Sequence, residues 1–286
     1  MKPKKPIILI IVLVSAIMLY GYIKVFHGKA DNADNTGNTG NATRASHTDD
    51  PQPTHILYQL GFEDNDPFPS FLSKQVASQY GIEIVESPVY RGRKAARFEL
   101  RCGDAENNNG TRAEISFPQP DDQSNLERWY AFALLFPKED YEPDNTDDVI
   151  TQWHQGGKVS PAISLRTKDD KLYLRIKPDV KSKDKITLGD VERGDWHFYI
   201  FHIKHSSGPD GLIEVWRDGK LMGTYNGSNM YDLDNKDFHA PAWKLGIYKS
   251  NWNKGKVTNT TKRVLYVDEI KCGDERATFA DMMPKK

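Results

Sequence analysis

Several patterns that would place a protein in a common class are missing from this sequence of 286 residues. Neither charge sign is in excess, since 39 Lys and Arg residues face 40 Asp and Glu residues. A chain with no basic surplus is not expected to bind nucleic acid. No Gly-x-Ser-x-Gly elbow, phosphate-binding loop or His-Glu-x-x-His helix occurs, which disfavours esterases, nucleotide-binding proteins and metallopeptidases.

Cysteine is also scarce. Only Cys102 and Cys272 occur, which is too few for a zinc site. Both lie at the end of a predicted strand. A disulfide bond between them is permitted if the folded part lies in an oxidising compartment, and two free buried thiols are the alternative. The sequence leaves both open.

A long apolar run occurs once, at the N-terminus. Lys2, Lys4 and Lys5 precede an apolar stretch from Ile7 to about Ile23. Its length lies at the short limit of a membrane-spanning helix and above the usual core of a signal peptide. We favour an uncleaved hydrophobic helix that anchors the chain, with a cleaved signal segment as the alternative. In either case the lysines stay inside, so the rest of the chain is expected to be exported.

Composition divides the chain into three parts. Residues 1–30 form the expected anchor or signal segment. Residues 31–54 are rich in Asp, Asn, Thr and Gly and predict a disordered linker. Residues 55–286 are enough for one folded domain. We therefore expect this domain outside the cytoplasm, held at the membrane, or secreted or periplasmic if the first segment is removed.

The folded part predicts an all-β protein. Helical periodicity is scarce, and short alternating or apolar runs separated by turn signals are typical of a sandwich. Ser70 to Tyr80 is the one predicted short helix. Without β-α-β alternation, about twelve strands favour two antiparallel sheets packed face to face. The predicted strands are 56–62, 82–86, 94–101, 111–117, 128–136, 148–154, 161–167, 171–176, 196–204, 212–217, 243–248 and 264–271.

Three of these strands carry polar side chains on alternate positions, and alternate residues share one face of a strand. The pairs are Arg112 and Glu114, Gln152 and His154, and Lys244 and Tyr248. If the strands belong to one sheet, a guanidinium, an amide, an imidazole, an ammonium and a phenol converge on one surface. Such a face is costly to bury without a function, so we interpret it as a candidate active site.

Neighbouring residues extend this site in the sequence. Asn109, in a polar loop before the first strand, is expected to add an amide donor. The absent side chain at Gly246 is expected to let a flat polymer approach the sheet. Lys249 and Trp252 follow Tyr248 and are candidates to line a sugar subsite. With Glu114 and Lys244, these residues form the predicted substrate-binding set.

The same groups suit proton abstraction beside a uronic acid carboxylate. This reaction needs donors that neutralise the carboxylate, a base that reaches the C5 proton, and an acid that protonates the leaving glycosidic oxygen. Arg112 and Gln152 fit the first role, and His154 and Tyr248 fit the other two. The set is complete without a metal.

Two other functions remain as alternatives. A glycoside hydrolase needs two carboxylates across the scissile bond, but the acidic neighbours in the sequence point to opposite faces of their strands. These neighbours are Glu63 and Asp64, Asp147 and Asp148, and Asp268 and Glu269. A non-catalytic, lectin-like carbohydrate-binding module would need no such set of phenol, imidazole and amide.

The three strand motifs resemble, in order and spacing, those of the jelly-roll polysaccharide lyases. Alginate lyases of that fold carry an Arg-x-Glu-Leu strand, a Gln-x-His strand and a Lys-Ala-Gly-x-Tyr strand. The group of heparin lyase I and the glucuronan lyases is more similar still. Supporting segments include 96–100, 194–196, 214–219 and 265–270, so the likeness spans about residues 56–275.

The resemblance implies a concanavalin-like β-jelly roll that acts on an acidic polysaccharide. Gln152 and Arg112 would neutralise the uronate, and Tyr248 would be the acid. His154 would be either the base or a neutralising group beside a tyrosine that performs both proton transfers. Lys244 would bind the substrate or tune Tyr248. No cofactor is required, a structural calcium ion is compatible with the resemblance, and we expect a monomer whose membrane contact is limited to the N-terminal segment.

Overall fold

The structure is a computed structural model that describes residues 55–120, 123–157, 159–179, 181–234 and 238–285. The expected N-terminal helix and linker lie outside these residues. No helix in the described part of the chain is long and apolar enough to cross a membrane.

Fifteen antiparallel strands make up the described fold. They are β1 (Ile56–Leu60), β2 (Ser73–Val76), β3 (Ile82–Val85), β4 (Ala95–Arg101), β5 (Arg112–Ser116), β6 (Glu127–Leu135), β7 (Asp148–His154), β8 (Ile163–Lys168), β9 (Lys171–Ile176), β10 (Asp184–Asp190), β11 (Trp196–Lys204), β12 (Leu212–Arg217), β13 (Lys220–Asn226), β14 (Ala242–Tyr248) and β15 (Lys262–Gly273). Two 3-10 helices (Gln79–Gly81 and Ser250–Gly255) and one short α-helix, α1 (Phe279–Met282), complete it.

The strands form two sheets. One has eight strands in the order β13-β12-β11-β6-β15-β4-β3, with β1 also paired to β15. The other has seven, in the order β10-β9-β8-β7-β14-β5-β2. This arrangement confirms the prediction of an all-β sandwich of two antiparallel sheets.

The core between the sheets explains why these segments become strands. Each inner strand turns one set of alternate residues toward the other sheet, as in β9, where Leu172, Leu174 and Ile176 are buried. Aromatic rings fill the centre, and Trp243 stacks on Phe117 with ring centroids 4.4 Å apart. Burial of such rings supplies much of the stability of a β-sandwich.

Three sequence expectations about local structure were wrong or incomplete. The predicted helix from Ser70 to Tyr80 is instead β2 followed by the first 3-10 helix. Strand β10, at the edge of the seven-stranded sheet, was not predicted. Strand β13, from Lys220 to Asn226, is not among the predicted strands either. All three are short or polar edge segments, whose side chains give little hydrophobic alternation.

Candidate active site

The six predicted site residues lie on one face of the seven-stranded sheet, the face turned away from the core. Strand β14 lies between β5 and β7, so its polar residues face both neighbours. Lys244 is opposite Ser116 on one side and Gln152 on the other, and Tyr248 is opposite Arg112 and Val149. Residues that pair across neighbouring strands share a face. We call this surface the polar face.

Glu114 is the centre of the polar face. Its side chain is 0% exposed. Arg112 Nη1 lies 2.9 Å from Glu114 Oε2, and Gln152 Nε2 donates to Glu114 Oε1 at 2.6 Å. The second contact reaches across β14, where Gly246 presents no side chain. The carboxylate therefore joins side chains of two strands that are not adjacent.

Tyr248 is held against Arg112. The guanidinium carbon of Arg112 lies 4.2 Å from the centroid of the Tyr248 ring. The turn before β5 closes over the pair, since a side chain on Gly110 would come within 2.6 Å of the Tyr248 ring. Arg112 Nη2 also donates to the carbonyl of Asn108 at 3.4 Å. Tyr248 stays partly exposed while its ring orientation is fixed from one side.

Gly246 is required by the backbone rather than by a ligand. Its φ is +141°, and an added Cβ would lie 2.2 Å from the carbonyl oxygen of Ala113. The register with β7 shifts at this point, between Leu245 and Tyr248, which is the signature of a β-bulge. A side chain here would point toward β5 and Phe98 in the core. From the sequence, this glycine was attributed to the approach of a flat polymer. The positive φ and the close contact with β5 explain it instead.

His154 lies at the other end of the polar face from Tyr248. It is opposite Ala242, whereas Tyr248 is opposite Val149, so five residues of β7, about 17 Å of strand, separate their backbone positions. The side chains approach more closely, because His154 interacts electrostatically with Arg112, which stacks on the Tyr248 ring. The Nδ1 of His154 accepts a hydrogen bond from the Gly156 amide at 2.9 Å. Because Nδ1 accepts, the proton of the neutral ring is on Nε2.

The imidazole of His154 is neutral near pH 7. Burial and the positive charges of Lys244 and Arg112 together lower its pKa to about 4, and a hydrogen bond with the backbone of Val159 opposes this shift. A neutral ring with its proton on Nε2 is a hydrogen-bond donor, and in this structure its partner is the backbone of Val159.

Lys244 brings in a residue that the sequence interpretation missed. Its Nζ donates to Gln75 Oε1 at 3.2 Å, and Gln75 of β2 is opposite Glu114. Burial lowers the pKa of Lys244, the Glu114 carboxylate opposes this shift, and Arg112 adds to it. Gln75 was missed because it falls in the segment predicted as a helix.

Further polar residues continue the face over β8 and β9. Arg166 Nη1 lies 3.0 Å from Asp147 Oδ2, and the Tyr173 hydroxyl donates to Asp147 Oδ1 at 2.8 Å. Arg166 Nε donates to Ser164 Oγ at 2.8 Å. Arg166 also interacts electrostatically with Tyr248. Ser164 and Arg166 alternate along β8 and therefore share one face. The pairing of β7 with β8 and of β8 with β9 brings that face next to the predicted site.

Two predicted substrate-binding residues are buried away from the polar face. The Lys249 and Trp252 side chains are each 0% exposed. Trp252 packs in the core, and its Nε1 donates to Thr258 Oγ1 at 2.9 Å. The sequence placed both beside Tyr248, but strand alternation turns Lys249 inward, and the chain then enters a 3-10 helix. Neither can line a sugar subsite in this structure.

Lys249 belongs to a buried ion cluster. Its Nζ lies 2.7 Å from Asp148 Oδ1 and 3.3 Å from Asp144 Oδ2, and it donates to Thr146 Oγ1 at 2.8 Å. Arg263 Nε lies 2.8 Å from Asp148 Oδ2. Two cations thus balance two carboxylates. The cluster ties the start of β7 to the end of β14, directly behind Tyr248.

Glu114 and Gln152, both predicted to contact the substrate, are buried and bonded to each other. Glu114 was predicted to bind substrate, but both of its carboxylate oxygens are occupied and it is fully buried. Gln152 is 1% exposed and Arg112 is 7% exposed, so Gln152 lies beneath the surface. Lys244, His154 and Tyr248 are partly exposed, and Asn109 is exposed on the turn beside Tyr248.

The two cysteines are free. Cys272 is buried between the sheets, where burial raises its pKa to about 12. Cys102 is partly exposed, and its Sγ lies 3.8 Å from the Lys256 carbonyl oxygen. The disulfide alternative is therefore not realised in this structure.

The described residues contain no group of three His, Cys, Asp or Glu side chains that could hold a metal ion. Calcium also takes backbone carbonyl oxygens, so the expectation of a structural calcium ion stays a prediction.

The carboxylates are not arranged for glycoside hydrolysis. Asp147 faces Arg166 and Tyr173, whereas its neighbour Asp148 is 0% exposed beside Lys249. Glu114, the other carboxylate of the polar face, has no free oxygen. A hydrolase needs one carboxyl group as acid and another as base or nucleophile at the scissile bond, and neither is available here.

Fold and site together define a β-sandwich of two antiparallel sheets whose seven-stranded sheet carries a partly exposed polar face. The sequence pattern of the family described as "Polysaccharide lyase" matches residues 38–271. The chain belongs to this family, and it is a polysaccharide lyase. No curated protein gives a significant match.

Solved structures show the same fold at low sequence identity. The endo-β-1,4-glucuronan lyase from the fungus Trichoderma reesei superposes with a TM-score of 0.63 and 19% identity, over 79% of this chain and 98% of that chain. The PL-14 alginate lyase from Aplysia kurodai gives 0.52 and 12%, over 77% and 99%. The receptor-binding domain of botulinum neurotoxin type G gives 0.50 and 11%, over 80% of this chain and 50% of that chain. The fold alone therefore does not specify an enzyme.

The buried ion cluster predicts a large stability cost for Lys249→Met. Removing one partner leaves buried carboxylates without their counter-charge, which costs about 3–5 kcal/mol. The free energy of unfolding, measured by urea titration, should fall by about this amount. Lys256→Met, at an exposed position, should change it by less than about 0.5 kcal/mol. Equal stability of both variants would contradict the structural role of Lys249.

His154 predicts a pH dependence of stability. Its folded pKa of about 4 lies below the ordinary value of 6.5, so only the unfolded chain takes up this proton as the pH falls between them. The free energy of unfolding should therefore decline from about pH 6.5 toward about pH 4, by on the order of 3 kcal/mol from this residue. His205, whose burial lowers its pKa to about 3, adds to the same decline. Unfolding curves of wild type and His154→Gln should show a shallower slope for the variant, and identical slopes would refute the assignment.

Proposed function

We propose that this polysaccharide lyase cleaves a uronic-acid-containing polysaccharide by β-elimination. The observation that carries the proposal is the setting of Tyr248: a partly exposed phenol with a guanidinium stacked on its ring and a second cation, Arg166, nearby. Proton transfer beside a carboxylate needs such a group in a positively charged site.

The charge balance of the polar face favours an acidic polymer. Four cations of this face lie around two carboxylates, Glu114 and Asp147, and each carboxylate is already paired. The cations are Arg112, Lys244, Arg166 and Arg175. An excess of buried or half-buried positive charge is stabilised by an anionic ligand. The names of the glucuronan and alginate lyase neighbours are consistent with this class of substrate.

Lys244, Arg112 and His154 are our candidates for neutralising the uronate carboxylate. Lys244 is partly exposed and interacts electrostatically with Glu114. In this proposal the Nε2–H of His154, a neutral donor, exchanges the Val159 backbone for the uronate. Gln152, which is buried and bonded to Glu114, holds that carboxylate and through it Arg112. It acts as a positioning residue in this proposal.

Tyr248 is our candidate for both proton transfers. In its phenolate form, its oxygen takes the proton from C5 of the uronate and becomes the neutral phenol, and the developing negative charge on the sugar is stabilised by the cations around the carboxylate. The bond from C4 to the glycosidic oxygen then breaks, the proton passes to that leaving oxygen, and a C4=C5 double bond remains in the product. Of the two roles that the sequence left open for His154, the donor role fits its tautomer and its position better than the base role.

The cellular setting is also a proposal. We infer from the apolar N-terminal run that the enzyme is exported and held at the membrane by that segment, or released if the segment is cleaved. We further propose that it acts as a monomer. Fractionation of cells that express the full chain, followed by sizing of the purified protein, tests both statements.

Tyr248→Phe tests the proposed function. Removing the hydroxyl should lower kcat on the order of 100- to 10,000-fold, because it removes a group that transfers protons. Wild-type protein incubated with glucuronan, alginate, heparin and heparan sulfate should raise the ultraviolet absorbance with at least one polymer, as unsaturated uronate ends form. Tyr225→Phe, which changes a tyrosine of β13 in the other sheet, should keep wild-type activity.

The products separate this proposal from its alternatives. Saturated reducing ends would indicate a hydrolase. A uronate polymer that binds but stays uncut over days would indicate a lectin-like module. An active Tyr248→Phe variant would refute the role assigned to this tyrosine.

His154→Gln and His154→Leu together distinguish a donor from a base. An amide donates a hydrogen bond but accepts no proton, so His154→Gln should keep kcat within about tenfold of wild type while His154→Leu loses about 100-fold. Initial rates of double-bond formation at saturating polymer measure both. Equal, large losses in the two variants would show that His154 is the base.

A further inference from the structure

Arg175, on the polar face at some distance from Tyr248, has an unbalanced charge. Its Nη2 donates to the Pro161 carbonyl at 3.1 Å, and its Nε is buried without a hydrogen-bond partner among the described residues. None of the ion pairs in the described part of the chain includes it. Buried donors and charges are nearly always satisfied in native proteins, so this guanidinium requires an explanation.

The neighbouring residues cannot supply a counter-charge. Asp147 is the nearby carboxylate, and it already accepts from Arg166 and from the Tyr173 hydroxyl. Burial and the charge of Arg166 lower the pKa of Arg175 to about 10, with Asp147 opposing them. Two guanidiniums thus share one carboxylate that is already occupied. The positive charge of Arg175 therefore has no carboxylate partner among the described residues.

The register places this charge on the path of a polymer that crosses the strands. Arg175 is opposite Ser164, Ser164 is opposite Gln152, and Gln152 is opposite Lys244. These residues form one row that leads from the proposed reaction centre to β9. From β14 to β9 there are three strand spacings, about 14 Å. That distance exceeds one sugar ring.

We propose that Arg175, supported by Arg166 and Tyr173, forms a second anion subsite that binds the carboxylate or sulfate of a different sugar from the one that is cleaved. The subsite rests on the proposed function. Arg166 is fixed by Asp147 and Ser164 and has an electrostatic interaction with Tyr248, so it connects the two anion sites. The enzyme thereby requires a polymer with repeated negative charges rather than a single uronate.

Binding to the full chain carrying Tyr248→Phe tests the subsite without turnover. Titration calorimetry with glucuronan oligosaccharides, heparin oligosaccharides and neutral cello-oligosaccharides gives the affinities. Adding Arg175→Met should weaken binding of a charged oligosaccharide about 10- to 100-fold. Arg175→Lys should lose less, because it keeps the charge. Lys220→Met, an exposed lysine of β13 in the other sheet, removes the same charge elsewhere and should have no effect.

The probes identify the anion. A loss for both charged probes indicates a subsite for carboxylates, and a loss for heparin oligosaccharides alone indicates one for sulfates. Both results support the proposal. Unchanged affinity of Arg175→Met for every probe overturns it. A melting curve checks that each variant is folded. If Arg175→Met does not fold, Arg175→Gln, which also removes the charge, takes its place, and unchanged affinity of that variant for every probe overturns the proposal.

Turnover separates this proposal from the proposed function. In the otherwise wild-type enzyme, Arg175→Met should raise KM for the polymer and leave kcat nearly unchanged, since Arg175 does not touch the reacting sugar. If wild-type protein forms no unsaturated ends but the calorimetric loss persists, the lyase chemistry on that polymer fails and the subsite stands. If unsaturated ends form and Arg175→Met changes neither KM nor affinity, the subsite fails and the chemistry stands.

Discussion

The buried carboxylate of Glu114 is the interaction on which the polar face depends. A fully buried charge is stable only with partners of good geometry, and Glu114 finds them in Arg112 on its own strand and Gln152 two strands away. Arg112 in turn stacks on Tyr248. The position of the phenol therefore depends on a carboxylate that no substrate can reach.

The charged side chains on the two sides of this sheet differ in whether each cation has a carboxylate partner. Behind Tyr248, Lys249 and Arg263 are matched by Asp144 and Asp148, so the cluster is closed and holds strand ends together. On the polar face, Lys244 and Arg175 have no carboxylate of their own among the described residues, because Glu114 and Asp147 are paired with Arg112 and Arg166. The first arrangement contributes to stability, and the second favours an anionic ligand.

Much of the fold could be predicted from alternation in the sequence. Strands β7, β11 and β12 begin and end where predicted, because their apolar residues face a continuous core. The three polar motifs were correctly placed on neighbouring strands of one sheet. Edge strands such as β10 were missed, since one side of an edge strand meets solvent and leaves a weak hydrophobic pattern.

The details of the site depend on register, which the sequence does not contain. Proximity to Tyr248 suggested that Lys249 and Trp252 bind sugar, but alternation and the following 3-10 helix turn both inward. Gln75 and Asp147 join the site only through pairing across strands. The separation of His154 from Tyr248 likewise follows from the pairing of β7 with β14. Side chains that act together here come from segments far apart in the chain, and no local pattern reports their distance.

The central claim is that one acidic sugar lies on the polar face between His154 and Tyr248. A crystal structure of the inactive Tyr248→Phe variant with a bound oligouronate tests this most directly. The account predicts a uronate carboxylate within hydrogen-bond distance of Lys244, Arg112 or His154, with the C5 hydrogen directed toward the ring at position 248. A sugar bound on the eight-stranded sheet, or a carboxylate directed away from these cations, would contradict it.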